Sequence, residues 1–267
     1  MPKDQTTKSD SIDIGLIAEE IAGRMNRLSL LTTKDIRAIR RQYSRKIVGW
    51  PTRAVINLAQ RVLNNGGHIS RFIAYELIYS HRPALKSLKQ RDLVQLGEGL
   101  DSWGAVDMFG CYLSGQAWRE KQVPDSLIES WTRSPDRWWR RAALVSTIPL
   151  NNKTRGGTGD VRRTLLICQG LIDDRDDMVV KAMSWALREL SKRHPREVKA
   201  FLAKNKDRLA ARVIREVGHK LSTGLKNPRT ASIKDVRQTS VCRSRRSWNK
   251  VHRQIKDCRT ISDKQRL

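Results

Sequence analysis

Acidic residues are scarce in this chain. Only 27 Asp and Glu stand against 53 Lys and Arg over 267 residues, giving a formal charge of +26 and an isoelectric point near 10.7. That surplus is too large for an ordinary enzyme of small molecules. It points to a polyanionic partner, nucleic acid before an anionic membrane surface. Long apolar runs are missing too: none approaches the roughly 18 residues that a membrane span needs. The first ten residues, Met1 to Asp10, are polar and lack the apolar core of a secretory signal, so a cytoplasmic protein is expected. Cysteine is sparse and scattered, at Cys111, Cys168, Cys242 and Cys258, with no CxxC and no Cys/His metal spacing. Cys111 and Cys168 read as buried thiols, and neither a disulfide nor a bound metal is expected. No segment alternates with period two over a strand's length, so the fold class expected is all-α.

What is present is a series of short amphipathic helices. Ile12 to Leu28 carries Ile14, Ile17, Ile21 and Met25 on one face. Thr32 or Thr33 can cap a second helix, with stripe Ile36, Ile39, Tyr43 and Ile47. Pro51 opens a third, and Asn64-Asn-Gly-Gly67 ends it. Helices are expected at 69–81, 83–96, 103–117, 124–133, 136–150 and 161–172, then from 178, over 195–205 and over 208–221, with Gly224 as a C-cap. Residues 1–11 read as disordered and 12–225 as the folded domain. From Lys226 on, 13 Lys and Arg face three Asp, a basic and mostly disordered tail with a short helix conceivable around Trp248–Ile255. Paired helices at a period of about 40 residues suggest a HEAT-like helical-repeat α-solenoid. Trp103, Trp138 and Trp185, at offsets of 35 and 47, punctuate it. A globular helical bundle has the same pattern. Asn151-Asn-Lys-Thr-Arg-Gly-Gly-Thr-Gly-Asp160 lacks P-loop order and follows no strand. It reads as a plain mobile loop, with contact to phosphates as the alternative.

The helix after Asp177 has a core stripe of Val179, Ala182, Met183, Ala186, Leu187 and Leu190. Lys181, Trp185, Arg188 and Lys192 share a second face, so an indole and a guanidinium are presented together. On the helix from Trp103, Asp107 lies one turn on, among the small residues Gly104, Gly110, Cys111 and Ser114. The plain reading of Asp107 is a cap or an ion pair. Arg141 shares its surface with Trp138, Leu144, Val145 and Ile148, and a cation among apolar neighbours needs a dedicated partner. Asp107 on the adjacent repeat is the candidate. Arg140 points elsewhere, towards solvent, and one of Trp138 and Trp139 is read as simple core.

Trp103-x-x-Val-Asp107, then Trp138-x-Arg-Arg141-Ala-Ala, then Lys181-Ala-x-x-Trp185-x-Leu-Arg188-Glu resembles the AlkD-like DNA alkylation repair glycosylases in order and gaps. Val213 to Leu221 looks like that family's final helix, and the resemblance covers roughly 50–225. It implies a HEAT-like solenoid whose concave basic face holds duplex DNA, and hydrolysis of N3- and N7-alkylated purines without a cofactor. It puts the catalytic role on Asp107, supported by Trp103, Trp185 and Arg141. DNA contacts are expected from Arg188 and Lys181, with Arg140, Arg215 and Lys220 as further cations. The N-terminal 50 residues depart from the pattern, with Tyr43 standing in for a cleft tyrosine at a different spacing. The partner implied is double-stranded DNA containing alkylated purines, bound by a monomer. A non-catalytic DNA- or RNA-binding protein and a helical interaction scaffold are the other readings.

Overall fold

The apolar stripes become buried faces. Ile21, Tyr43, Leu58, Tyr75, Phe109, Leu144, Leu187 and Val217 are all fully enclosed. The computed structural model describes residues 12–27, 32–65 and 68–228. The expectations for residues 1–11, for Gly66-Gly67, for Cys242 and Cys258 and for a helix around Trp248–Ile255 lie outside the described residues. Among those described, all regular structure is helical. In order come α1 (Ile14–Asn26), α2 (Thr33–Lys46), α3 (Thr52–Asn64), α4 (His68–Ser80), α5 (Arg82–Lys86), α6 (Gln90–Gly97), α7 (Trp103–Met108) and α8 (Gly115–Arg119). Then follow α9 (Asp125–Trp131), α10 (Arg137–Val145), α11 (Ile148–Asn151), α12 (Val161–Gly170), α13 (Asp177–Leu190), α14 (Pro195–Lys204) and α15 (Ala211–Thr223). A π-helical turn, Phe109–Ser114, joins α7 to α8.

Local chemistry sets the ends. Thr32 and Asp35 form a reciprocal capping box at α2. Asp176 caps α13 by accepting from the Met178 and Val179 amides. Gly224 closes α15 with φ of 75°. Two expected helices are broken. Residues 83–96 divide into α5 and α6, and 136–150 divides after Val145, because Pro149 has no amide to donate back into the ladder.

The helices stack as a helical-repeat solenoid. One layer runs α2, α4, α7 with its π turn, α10, α13, α15, each packed on the next. Its helices start at residues 33, 68, 103, 137, 177 and 211. The step is therefore 35, 35, 34, 40 and 34, shorter than the expected 40. The one long step contains the glycine-rich segment. Polar ties repeat the same separation. Arg40–Glu76 spans 36 residues, Arg53–Asp92 39, Arg140–Asp174 34 and Arg212–Asp177 35. In this register Trp103 opens α7 and Trp138 is second in α10, but Trp185 lies two turns into α13. The three tryptophans are thus not equivalent repeat marks.

The glycine-rich segment is a built element rather than a plain loop. Lys153–Arg155 is a 3-10 turn capped by Gly156 at φ of 81°. A Cβ at Gly157 would stand 2.4 Å from the Pro149 carbonyl oxygen, so only glycine lets the chain pass. The Asp160 amide donates to Asn151 Oδ1 at 2.9 Å, Asn152 donates to Glu189 at 3.0 Å, and Arg193 donates to the Gly157 carbonyl at 3.1 Å.

Close packing at the π turn makes a testable contrast. A Cβ at Gly115 would lie 2.6 Å from both the Gly110 and Ser146 carbonyl oxygens, whereas Gly218, inside α15, has open space. Gly115→Ala is expected to cost about 1–3 kcal/mol from overpacking. Gly218→Ala is expected to add about 0.5–1 kcal/mol from helix propensity. Urea unfolding midpoints check both, and equal midpoints for the two variants would contradict the packing described.

Candidate active site

Asp107 is one turn along α7 from Trp103, and α10 lies alongside. Close approach is possible because Gly110 has no side chain: a Cβ there would stand 2.6 Å from Val145 Cγ1. Ser114 and Ser146 hydroxyls meet across the same seam at 2.7 Å. That brings Arg141 onto Asp107. Nη2 donates to Oδ1 at 2.8 Å and to Oδ2 at 3.0 Å, and Nε donates to Oδ1 at 3.0 Å. Nη1 donates to the Met178 carbonyl at the start of α13. One guanidinium therefore joins α7, α10 and α13.

The pair is lopsided in its exposure. The Arg141 side chain is 6% exposed and the Asp107 side chain 22%. The cation is the buried half, and the carboxylate keeps an open side. Burial pushes the Asp107 carboxyl up to about 6, against the lowering from the Arg141 charge and its hydrogen bonds. Ionisation of this carboxyl thus falls within one or two pH units of neutrality, a property common at functional sites.

The two expected indoles lie on α7 and α13. Trp103 is 61% exposed. Trp185 is half-buried against the core on α13. They occupy the ladder helices on either side of α10. Trp139 is the core member of its pair: its ring seats over Gly97, meets Phe109 edge-on at 6.0 Å and lies 4.9 Å from Trp131. Trp138 is half-buried, with the Arg137 guanidinium 4.8 Å over its ring.

The other cations divide. Lys181 is exposed and pairs with Asp177 at 2.6 Å. Arg188 is half-buried; it donates to Ser184 Oγ at 3.2 Å, which in turn donates to Glu216 at 2.6 Å. Burial lowers the Arg188 pKa, partly offset by Glu216 and Glu189. Arg215 is exposed and forms no ion pair among the described residues. Lys220 donates to the Gly224 carbonyl and so helps close α15. Arg140 does not extend into solvent: it donates to Asp174 at 2.7 Å and to the Ser134 and Pro135 carbonyls at 3.0 and 2.8 Å. It is a staple between repeats. Tyr43 is enclosed in the core, so it cannot line a cleft as expected.

Register adds what motif spacing misses. The fifth residues of the six ladder helices are Arg37, Phe72, Asp107, Arg141, Lys181 and Arg215. Asp107 is the single acid in a row of four cations and one phenyl ring. The sequence also hides a row of aromatic and cationic side chains at Tyr79, Tyr112, Arg82 and Arg155, visible only once the π turn and the ordered glycine-rich segment are in place. Among the described residues no cluster of three His, Cys, Asp or Glu is placed to hold a metal, and no helix is long and apolar enough to cross a membrane.

Residues 29–221 match the protein family described as DNA alkylation repair enzyme. The match takes in α2, which the motif resemblance, starting near residue 50, leaves out. A search of curated proteins finds no match to the chain. The family match spans well over half the sequence and reaches all six ladder helices, and the chain belongs to the DNA alkylation repair enzyme family, which assigns it a role in alkylation repair with DNA as its partner.

Proposed function

We propose that the chain is a DNA N-glycosylase that hydrolyses the N-glycosidic bond of cationic N3- and N7-alkylated purines in duplex DNA. The observation that carries this reading is Asp107: a carboxylate fixed by a buried arginine, open on one side, on the helix that also exposes Trp103. An alkylated purine is already positive, so it leaves as a neutral base when the C1′–N bond breaks and the electron pair stays on nitrogen. Positive charge develops on the sugar. A carboxylate that cannot rotate away stabilises that charge as it forms. Water adds at C1′ and gives its proton to Asp107 or to solvent. The products are the free alkylpurine and an abasic sugar.

The surrounding residues have matching tasks. Indole faces of Trp103 and Trp185 attract a cationic base and the sugar edge. Arg141 positions Asp107; Lys181 and Arg188 on α13 and Arg215 on α15 are the cations this reading assigns to flanking phosphates. The same reading takes residues 12–225 as the catalytic unit, acting as a cytoplasmic monomer, with residues 226–267 as a basic tail.

Two measurements test the chemistry. Duplex DNA carrying 7-methylguanine is incubated with wild-type protein and with Asp107→Asn. Wild-type protein is expected to release the base, with the variant slower by about 10²–10³-fold, the cost of losing one preorganised stabilising group. No release by the wild type, with binding intact, would leave a non-catalytic DNA-binding protein. The second is a pH profile. The carboxyl is raised to about 6, so kcat/KM should be full above that value and fall as pH drops through it and the carboxylate is protonated. Arg141 lowers the carboxyl's pKa; Arg141→Gln should therefore move the acid limb to higher pH as well as reduce the rate. An acid limb that stays in place in Arg141→Gln would separate the profile from Asp107.

A further inference from the structure

Four side chains form a row that the proposed reaction does not use. Tyr79, near the end of α4, and Tyr112, on the π turn, stack with ring centroids 4.7 Å apart and planes 22° from parallel. Arg82, first residue of α5, holds its guanidinium 5.5 Å from the Tyr79 centroid. Arg155, in the glycine-rich segment, holds its guanidinium 4.9 Å from the Tyr112 centroid. The order Arg82, Tyr79, Tyr112, Arg155 draws on three successive repeats. Tyr112 lies five residues beyond Asp107 on a continuous helix, about 7 Å along its axis.

The row has charge but no acid. Neither Arg82 nor Arg155 forms an ion pair with a carboxylate among the described residues. Arg155 is half-buried; its Nη1 donates to the Cys111 carbonyl at 3.3 Å, and the Tyr112 hydroxyl is a further hydrogen-bond partner of the guanidinium. A guanidinium has five donors in a fixed fork, so most remain to be used. Arg40, Arg53, Arg140, Arg141, Arg163 and Arg208 each hold a carboxylate, and Arg82 and Arg155 do not. A cation drawn out of water without a counter-ion is costly. The segment carrying Arg155 is nevertheless fixed: Gly156 and Gly157 meet demands only glycine satisfies, and Arg119 donates to the Arg155 carbonyl. The stacked rings hold a guanidinium at each end of the row.

We propose that Arg82, Tyr79, Tyr112 and Arg155 form a second phosphate clamp, which grips a backbone phosphate of the duplex on the α4 side of Asp107. The clamp rests on the DNA-binding part of the proposed function. Guanidinium forks match the paired oxygens of a phosphodiester, and contacts of this kind set register on the duplex without reading sequence. The ordered glycine-rich segment thereby acquires a purpose, to carry Arg155 from the fourth ladder helix back over the third.

The test is fluorescence anisotropy of an undamaged labelled duplex titrated over a range of salt. Wild-type protein, Arg82→Gln, Arg155→Gln and Arg155→Lys are compared. Each Gln variant is expected to bind several-fold more weakly and to lower the slope of log affinity against log salt by about 1. Arg155→Lys should keep the slope, because the charge stays, while losing affinity with the planar stack. Arg82→Gln guards against misfolding, since Arg82 is exposed and its contact is the ring alone. Unchanged slopes in both Gln variants would overturn the clamp. If Arg155→Gln then lowers only the melting temperature, Arg155 serves the π turn; retained 7-methylguanine release would leave the glycosylase reading standing. No salt-dependent binding by wild-type protein would remove the DNA-binding reading and the clamp together.

Discussion

The Arg141 guanidinium is withdrawn from water between three helices, and everything near it is arranged to satisfy it. An unpaired charge at that depth would cost several kcal/mol. Its donors are taken by Asp107 and by the Met178 carbonyl, so α7, α10 and α13 can adopt only one mutual register. Pairs of this kind contribute little net stability, because desolvation offsets attraction. What the pair gives is position. Asp107 cannot swing, and its open side is where a developing cation would meet it. The small residues Gly110 and Ser114 follow from the same demand, since a larger side chain at the seam would hold α10 too far away.

Scarcity of acid explains the distribution of charge. The chain has 27 carboxylates for 53 strong cations. Many of those acids are committed to neighbours about one repeat away, as in Glu76 with Arg40, Asp92 with Arg53, Asp174 with Arg140 and Asp173 with Arg208. Each tie, if exposed, adds no more than about 1 kcal/mol. Their shared separation of 34 to 39 residues nonetheless fixes the stacking of one repeat on the next. Cations without an acid, such as Arg215, Arg82 and Arg155, are what remains for an external polyanion. Net charge alone indicates a polyanion; the ion pairs separate the cations already committed within the fold from those that are not.

Much of this is legible in the sequence. Apolar stripes place the helices because burial tolerates few exceptions. Arg141 reveals its need for a partner through its apolar neighbours, and Asp107 is the acid at one repeat's distance. Other features have no local signature. A π turn after Met108 has the composition of an ordinary helix. The break at Ser87–Lys89 is shallow in pattern, since Leu85 and Leu88 continue the stripe across it. The period was blurred by the glycine-rich segment, which lengthens one step to 40 and puts Trp185 out of register with Trp103 and Trp138. That segment looks mobile by composition; its order comes from Glu189 and Arg193, some 40 residues away. Arg140 looks free because Asp174, its partner, lies 34 residues on in a loop.

The π turn gives the helix from Trp103 to Arg119 two different flanks. Asp107 faces α10, and Tyr112, five residues on, faces α4. A π turn adds a residue without adding a repeat, so the second half of the helix is rotated relative to a regular continuation of the first. The Gly110 and Gly115 pair makes room for the wider turn. Within the turn the Cys111 carbonyl accepts from the Arg155 and Gln116 side chains. One irregularity places a carboxylate on one side of a helix and an aromatic–arginine row on the other.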